Sequence, residues 1–197
     1  GRSAIAIVVV VCVALLLVNG YIYDWQNQEL DSPIVFELEY EDGSSEYISD
    51  GETMSMFSQE KLDGTMAFYE SSDMQTEVKG VNVVFQVKPE SNFTDEVEVE
   101  GTTYIDDKGY GGFEDPWETP FSMTCTVGQW NTISSQQINL DGVSGDEGNV
   151  EVLTASINAT AKADGEEAST SANGSLDLYM GSNDELTIEA SISNNTW

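Results

Sequence analysis

The 197 residues contain no histidine. That absence removes Ser/His/Asp and Cys/His nucleophilic systems in their usual forms, along with any His-ligated zinc. Cysteine is almost as scarce. Cys12 and Cys125 are the only two, so the even-numbered disulfide framework that staples small secreted domains is missing and stability must come from an apolar core. Both read as buried, small apolar residues rather than reactive thiols. No glycine-rich loop leads into a helix to cradle a phosphate. Carboxylate pairs are abundant, but nothing in the sequence singles out one pair in a cleft with a raised pKa. No catalytic residue is assigned, and an enzyme is not expected.

Positive charge is the next scarcity: six Lys and Arg stand against 36 Asp and Glu, a net charge of −30. All the acidic residues lie from Asp24 onward, and the only arginine is Arg2. Such a surface repels phosphate, which excludes nucleic acid and anionic headgroups as partners of the acidic part. Strongly acidic chains are often disordered, but disorder goes with few aromatic and β-branched residues. Here both are plentiful, so the acidic part is expected to fold. Its self-repulsion is relieved by salt, whose screening length falls to ~3 Å at 1 M. A salt-loving host is the expected source.

What the chain does have is one long greasy stretch. Residues 4–23 read AIAIVVVVCVALLLVNGYIY, uncharged throughout. As a helix they would reach roughly 30 Å, enough to cross a bilayer core. Three readings compete: a signal peptide, a single-pass anchor with Arg2 on the cytoplasmic side, or the retained N-terminal helix of a filament subunit. A signal peptide fits least well, since its apolar core runs only about 7–15 residues before a small-residue cleavage site. The helix is expected over residues 1–30, with a hinge at 31–33 where Pro33 disfavours helix in the residue before it.

From Ile34 the period changes to two. IVFELEY places Ile34, Phe36, Leu38 and Tyr40 on one face and Glu37 and Glu39 on the other, as in a half-buried strand. Further strands are expected at 46–48, 53–57, 65–69, 81–87, 96–104, 121–127, 130–140, 150–161, 175–180 and 185–192. Turn signals such as Asp42-Gly43, Asp50-Gly51 and Asp164-Gly165 separate several of them. Many short strands without amphipathic helices between them imply a β-sandwich over residues 34–197. The stretch 106–120 reads as a long loop whose Tyr110, Phe113 and Trp117 either contact a neighbour or glycan or fold back as a lid.

Calcium is the only cofactor for which ligand types are present. Asp141, Asp146 and Glu147 offer oxygens within one turn, but Val143 and Gly145 occupy positions where an EF-hand needs oxygen side chains. A second acidic cluster, Asp106, Asp107, Glu114 and Asp115, is no better defined. No cofactor is therefore assigned. The Asn-x-Ser/Thr pattern recurs at Asn92, Asn158, Asn173 and Asn194, and in an exported domain it marks these as glycosylation candidates.

An apolar helix at the N-terminus followed by an acidic, sequon-bearing β-domain resembles the archaeal type IV filament subunits, the pilins and archaellins. The matching residues are 1–23 for the helix and, more loosely, 34–197 for the sandwich. The glutamate near the start of bacterial pilins has no counterpart, since Ile5 and its neighbours are apolar; archaeal subunits commonly lack it too. The resemblance implies a long N-terminal apolar α-helix followed by an all-β, immunoglobulin-like sandwich, and a homo-oligomeric helical filament held in the membrane before assembly. The helix positions that would carry polymerisation are Ile5, Ile7, Val8, Val9, Val10, Val11, Val13, Leu15, Leu16, Leu17 and Val18. A segment apolar on every side suits one surrounded by partners. Its shortness favours a pilus over an archaellum. The expected protein is thus an extracellular, cell-surface pilus subunit with an adhesive, glycosylated coat; a membrane-anchored binding protein is the rival.

Overall fold

The structure is a computed structural model, and it describes residues 31–63, 66–70, 75–91, 94–107, 116–140, 148–180 and 185–195. Ser32–Trp197 forms one compact unit. Its strands are β1 (Ile34–Tyr40), β2 (Ser45–Ile48), β3 (Thr53–Glu60), β4 (Met66–Glu70), β5 (Val78–Val87) and β6 (Glu96–Asp106). They continue as β7 (Trp117–Thr126), β8 (Asn131–Ile138), β9 (Gly148–Ala163), β10 (Glu166–Met180) and β11 (Glu185–Asn195). They form a four-stranded sheet in the order β2-β1-β5-β8 and a seven-stranded sheet in the order β4-β3-β11-β10-β9-β6-β7.

Alternation is the reason these segments are strands and the reason two sheets meet. β1 buries Ile34, Phe36 and Leu38, and β5 buries Val81, Val83 and Phe85. The seven-stranded sheet answers with Val99, Leu153, Ile157, Leu176 and Ile188, all at or near zero exposure and all in one apolar cluster with the first set. Each such side chain contributes roughly 1.5–3 kcal/mol when fully withdrawn from water. The described core draws on both sheets.

Turn chemistry fixes the register. Asp164 (φ 50°) and Gly165 (φ 84°) both adopt the left-handed region, the requirement of a two-residue type I′ hairpin. Ala163 and Glu166 flank that turn, and the β9–β10 ladder runs from there to Gly148↔Met180. At the same end of the large sheet, where Glu96 pairs with Thr126 and Glu98 with Lys162, β7 leaves the large sheet and β8 joins the small one. Asn131 holds this crossing: its Oδ1 accepts from the Thr126 amide at 2.9 Å, and its Nδ2 donates to the carbonyls of Thr126 at 2.9 Å and Gln129 at 2.7 Å.

Several expectations are corrected here. None of the described residues is helical, and no helix among them is long and apolar enough to cross a membrane. The expected long apolar helix over 1–30 lies outside the described residues. The β part is sandwich-like but not immunoglobulin-like: immunoglobulin domains divide seven to nine strands between their sheets, whereas this unit places seven in one sheet alone. The enlargement comes from the meander β9-β10-β11, whose long hairpins widen the second sheet. Trp117 and Pro120, assigned to a loop, belong to β7, where Trp117 stands opposite Ile105. Tyr110 and Phe113 lie outside the described residues. At the start of the unit, the expected hinge residues Ser32 and Pro33 are tied to β5: Gln86 Nε2 donates to the Ser32 carbonyl at 2.6 Å, and the Gln86 amide donates to the Pro33 carbonyl at 3.0 Å.

Candidate functional site

The outer face of the seven-stranded sheet differs in chemistry from the rest of an acidic protein. Because side chains alternate along a strand, burial of Ala155, Ile157 and Ala159 on β9 and of Ala172, Gly174 and Leu176 on β10 turns their neighbours outward. These are Thr154, Ser156, Asn158 and Thr160 on one strand and Ser171, Asn173 and Ser175 on the next. Thr102 and Tyr104 of β6 stand opposite Asn158 and Ser156, and Ser191 and Ser193 of β11 stand opposite Ser175 and Asn173. The centre of this face carries hydroxyls and amides and no charge. Charges return at its margins, with Glu98, Glu100 and Lys162 towards one end and Asp177 and Glu189 towards the other.

Two of the four sequons fall within this neutral field. Asn158 and Asn173 are both exposed. Asn158 stands opposite Ser171, which makes Asn173 its diagonal neighbour at roughly 7–8 Å. The intervening residue of each sequon, Ala159 or Gly174, points into the core. An open hollow of about 540 Å³ surrounds Asn158, bordered by Glu100, Thr102, Thr160 and Ser169. A smaller one of about 310 Å³ lies beside Asn173, bordered by Tyr104, Ser156, Ser175 and Ser191. Thr160 and Ser169 share a hydrogen bond of 2.8 Å across the first hollow. Such a surface can hold a sugar or take an attached one, since its short hydroxyls and amides offer hydrogen bonds, and the Glu100 carboxylate at the border of the larger hollow is engaged by Lys162.

Asn194 lies on β11 in register with Ala172. Asn92 lies outside the described residues, as do the calcium candidates Asp141, Asp146 and Glu147, Glu114 and Asp115 of the second acidic cluster, and all eleven polymerisation positions from Ile5 to Val18. Among the described residues no three carboxylate or cysteine groups gather as a metal would need.

The outer face of the small sheet is built differently. Ser135 on β8 donates to Asn82 Oδ1 at 2.6 Å, and Asn82 Nδ2 donates to Glu37 at 3.2 Å. Gln137 donates to Glu39, which Lys79 also approaches at 3.7 Å. Tyr47, opposite Glu37, has its hydroxyl pKa raised by partial burial and then by that carboxylate. This lattice pins three strands together and leaves its acidic groups engaged.

Cys125 is fully buried, and its thiol pKa is raised by burial and then by Glu98. A thiol held protonated inside the core is a packing group and not a nucleophile. No protein-family model, no curated protein and no solved structure matches this chain.

Proposed function

We propose that this chain is a structural subunit of an extracellular archaeal type IV filament, of the pilus kind, and not a catalyst. The observation that carries the reading is the pairing of an uncharged apolar run, 4–23, with an acidic β unit that has an apolar core of its own between two sheets. The apolar run would sit in the membrane before assembly and pack against its counterparts in other copies afterwards. Each large side chain so buried adds roughly 1.5–3 kcal/mol before ordering costs are subtracted. The acidic unit would face the medium, where its charge keeps assembled fibres apart and its neutral, sequon-bearing face carries glycan and contacts surfaces. A salt-rich medium suits such a coat, because it screens the repulsion between closely set carboxylates.

The test is a charge placed within the apolar run. Val10→Asp should abolish fibres seen by electron microscopy in material sheared from cells, while the β unit released by limited proteolysis keeps its far-UV signature. Normal fibres from that variant would overturn the proposal. So would a wild-type chain that stays with the membrane fraction as single subunits, the behaviour of a plain anchor.

A further inference from the structure

Residues 119–140 contain no Asp, Glu, Lys or Arg, a longer charge-free run than 3–23. The fold lays this run along one side of the unit as the edge strand of each sheet: β7 borders the large sheet and β8 the small one. A sheet edge presents unpaired backbone donors and acceptors, and proteins usually blunt it with brevity, charge, proline or a bulge. β2 is four residues long and carries Glu46; β4 is five and ends on Glu70. β7 carries Glu118 and Pro120. β8 has neither charge nor proline. Its one irregularity is Ile133, skipped where Phe85 pairs with Ser134 and Gln86 with Thr132. Beyond it, 134–138 runs in regular register with β5.

We propose that 134–138 is an interface to a second copy of this chain, paired antiparallel about a twofold axis near Gln136. The charge distribution permits that occupant at this edge. Copies with a net charge of −30 can approach only where carboxylates are remote, and β5 and β8 together carry none, their one charge being Lys79. The nearest carboxylates on this sheet, Glu37 and Glu39, lie on β1. Across a β8–β8 pair they are five strand spacings from their counterparts, roughly 24 Å at 4.7–4.9 Å per spacing. That is about three Debye lengths at 0.15 M salt. The pairing joins two four-stranded sheets into one of eight and conceals the least protected edge among the described residues. A twofold contact closes at two copies, so this one is separate from the packing that would build the filament and rests on that reading only for the setting in which copies meet.

The test is site-directed cross-linking of the full chain on cells. Ser135 is exposed and would lie diagonally across the axis from its own counterpart, roughly 7–8 Å away. Ser135→Cys treated with a short bismaleimide should give a covalent dimer, whereas Ser45→Cys, exposed on β2 at the opposite edge, should not. Both variants carry Cys12→Ser, and buried Cys125 stays unlabelled. Ser135→Asp, introduced with Gln137→Cys as the cross-linking site, should cut the dimer yield at least tenfold relative to Gln137→Cys alone. Dimer from neither cysteine, or equally from both, in cells that do bear fibres overturns the interface. Dimer from Ser135→Cys in cells that bear no fibre leaves the interface standing and removes the filament reading instead.

Discussion

The Phe36 ring stands 3.1 Å from the point where a Cβ on Gly174 would sit. Phe36 is fully buried on β1, and Gly174 lies on the inner face of β10. A methyl here would fit only if the Phe36 ring gave way by a few tenths of an ångström, and Gly174 is also the middle residue of the Asn173 sequon. Gly174→Ala keeps the sequon but should destabilise the unit by about 1–3 kcal/mol through overpacking, read as a lower denaturant midpoint at constant slope. Phe36→Leu on that background should recover part of the loss, a coupling that a double-mutant cycle measures directly. An unchanged midpoint would mean that the sheets separate at this point without cost.

Gly101 is constrained more severely. A Cβ there would overlap the carbonyl oxygen of Asn158 on the neighbouring strand, and the Phe121 ring already covers the position from β7. Gly101→Ala must push β6 away from β9, since the obstacle is backbone and cannot rotate aside. The expected loss exceeds that of Gly174→Ala, and amide hydrogen exchange should locate it in β6 and β9. Equal losses for the two variants would contradict the distinction between a backbone and a side-chain obstacle.

How much of this was readable beforehand depends on what faces the core. β1, β5 and the centre of β9 put Ile, Val, Phe and Leu inward, and alternation alone exposes them. The first half of β10 was missed because its buried positions are Ala172 and Gly174, too small to mark a face against their Ser and Thr neighbours. Trp117 and Pro120 sit in a stretch rich in glycine, proline and aromatics, which masked the start of β7. The division into sheets was not readable at all. It depends on β8 crossing to pair with β5, a partner some fifty residues earlier, and on the Asn131 hydrogen bonds that make the crossing possible. The neutral outer face was visible only as scattered Ser, Thr and Asn until the register aligned them.

Cys125 gives a pH prediction with a definite sign. Its thiol pKa is raised in the folded state, so above the ordinary thiol value near 8.5 the unfolded chain loses its proton first. Stability contributed by keeping the thiol neutral is complete below that value and is lost as pH rises through the folded one. Native protein at pH 8 should resist a thiol reagent at this position while unfolded protein reacts within minutes. Fast labelling of the native state at Cys125 would show that the core opens readily around β7.

Lys162 is one of the few cations in the chain, and it forms ion pairs with Glu100 and, at 3.8 Å, with Glu167. Its pKa is raised, chiefly by the hydrogen bond to Glu100, so the contribution is present below the ordinary lysine value near 10.4 and fades as pH climbs through the folded value. Lys162→Met should lower the thermal midpoint at 50 mM salt and leave it unchanged at 2 M, where exposed charges are screened. The wild-type midpoint should itself rise between those concentrations, given a net charge of −30. A midpoint indifferent to salt would remove self-repulsion as a factor in this fold.

If the neutral face carries glycan as proposed, intact mass of protein from its own cells should fall when Asn158→Gln and Asn173→Gln are combined. The two acceptors are diagonal neighbours, so an oligosaccharide on one should obstruct modification of the other, and each single variant should lose less mass than the pair. An unchanged mass in the double variant would confine any attached sugar to Asn92 or Asn194.

The grip of Gln86 on Ser32 and Pro33 bears on how the molecule carries force. Chain entering at Ser32 is fastened by side chain and backbone to an interior strand before β1 begins, and β1 is itself flanked on both sides by β2 and β5. A pull arriving from residue 31 along the direction of β1 therefore loads two rows of backbone hydrogen bonds together, instead of peeling them open one after another. Held in this way, the unit yields late under tension applied at its first strand.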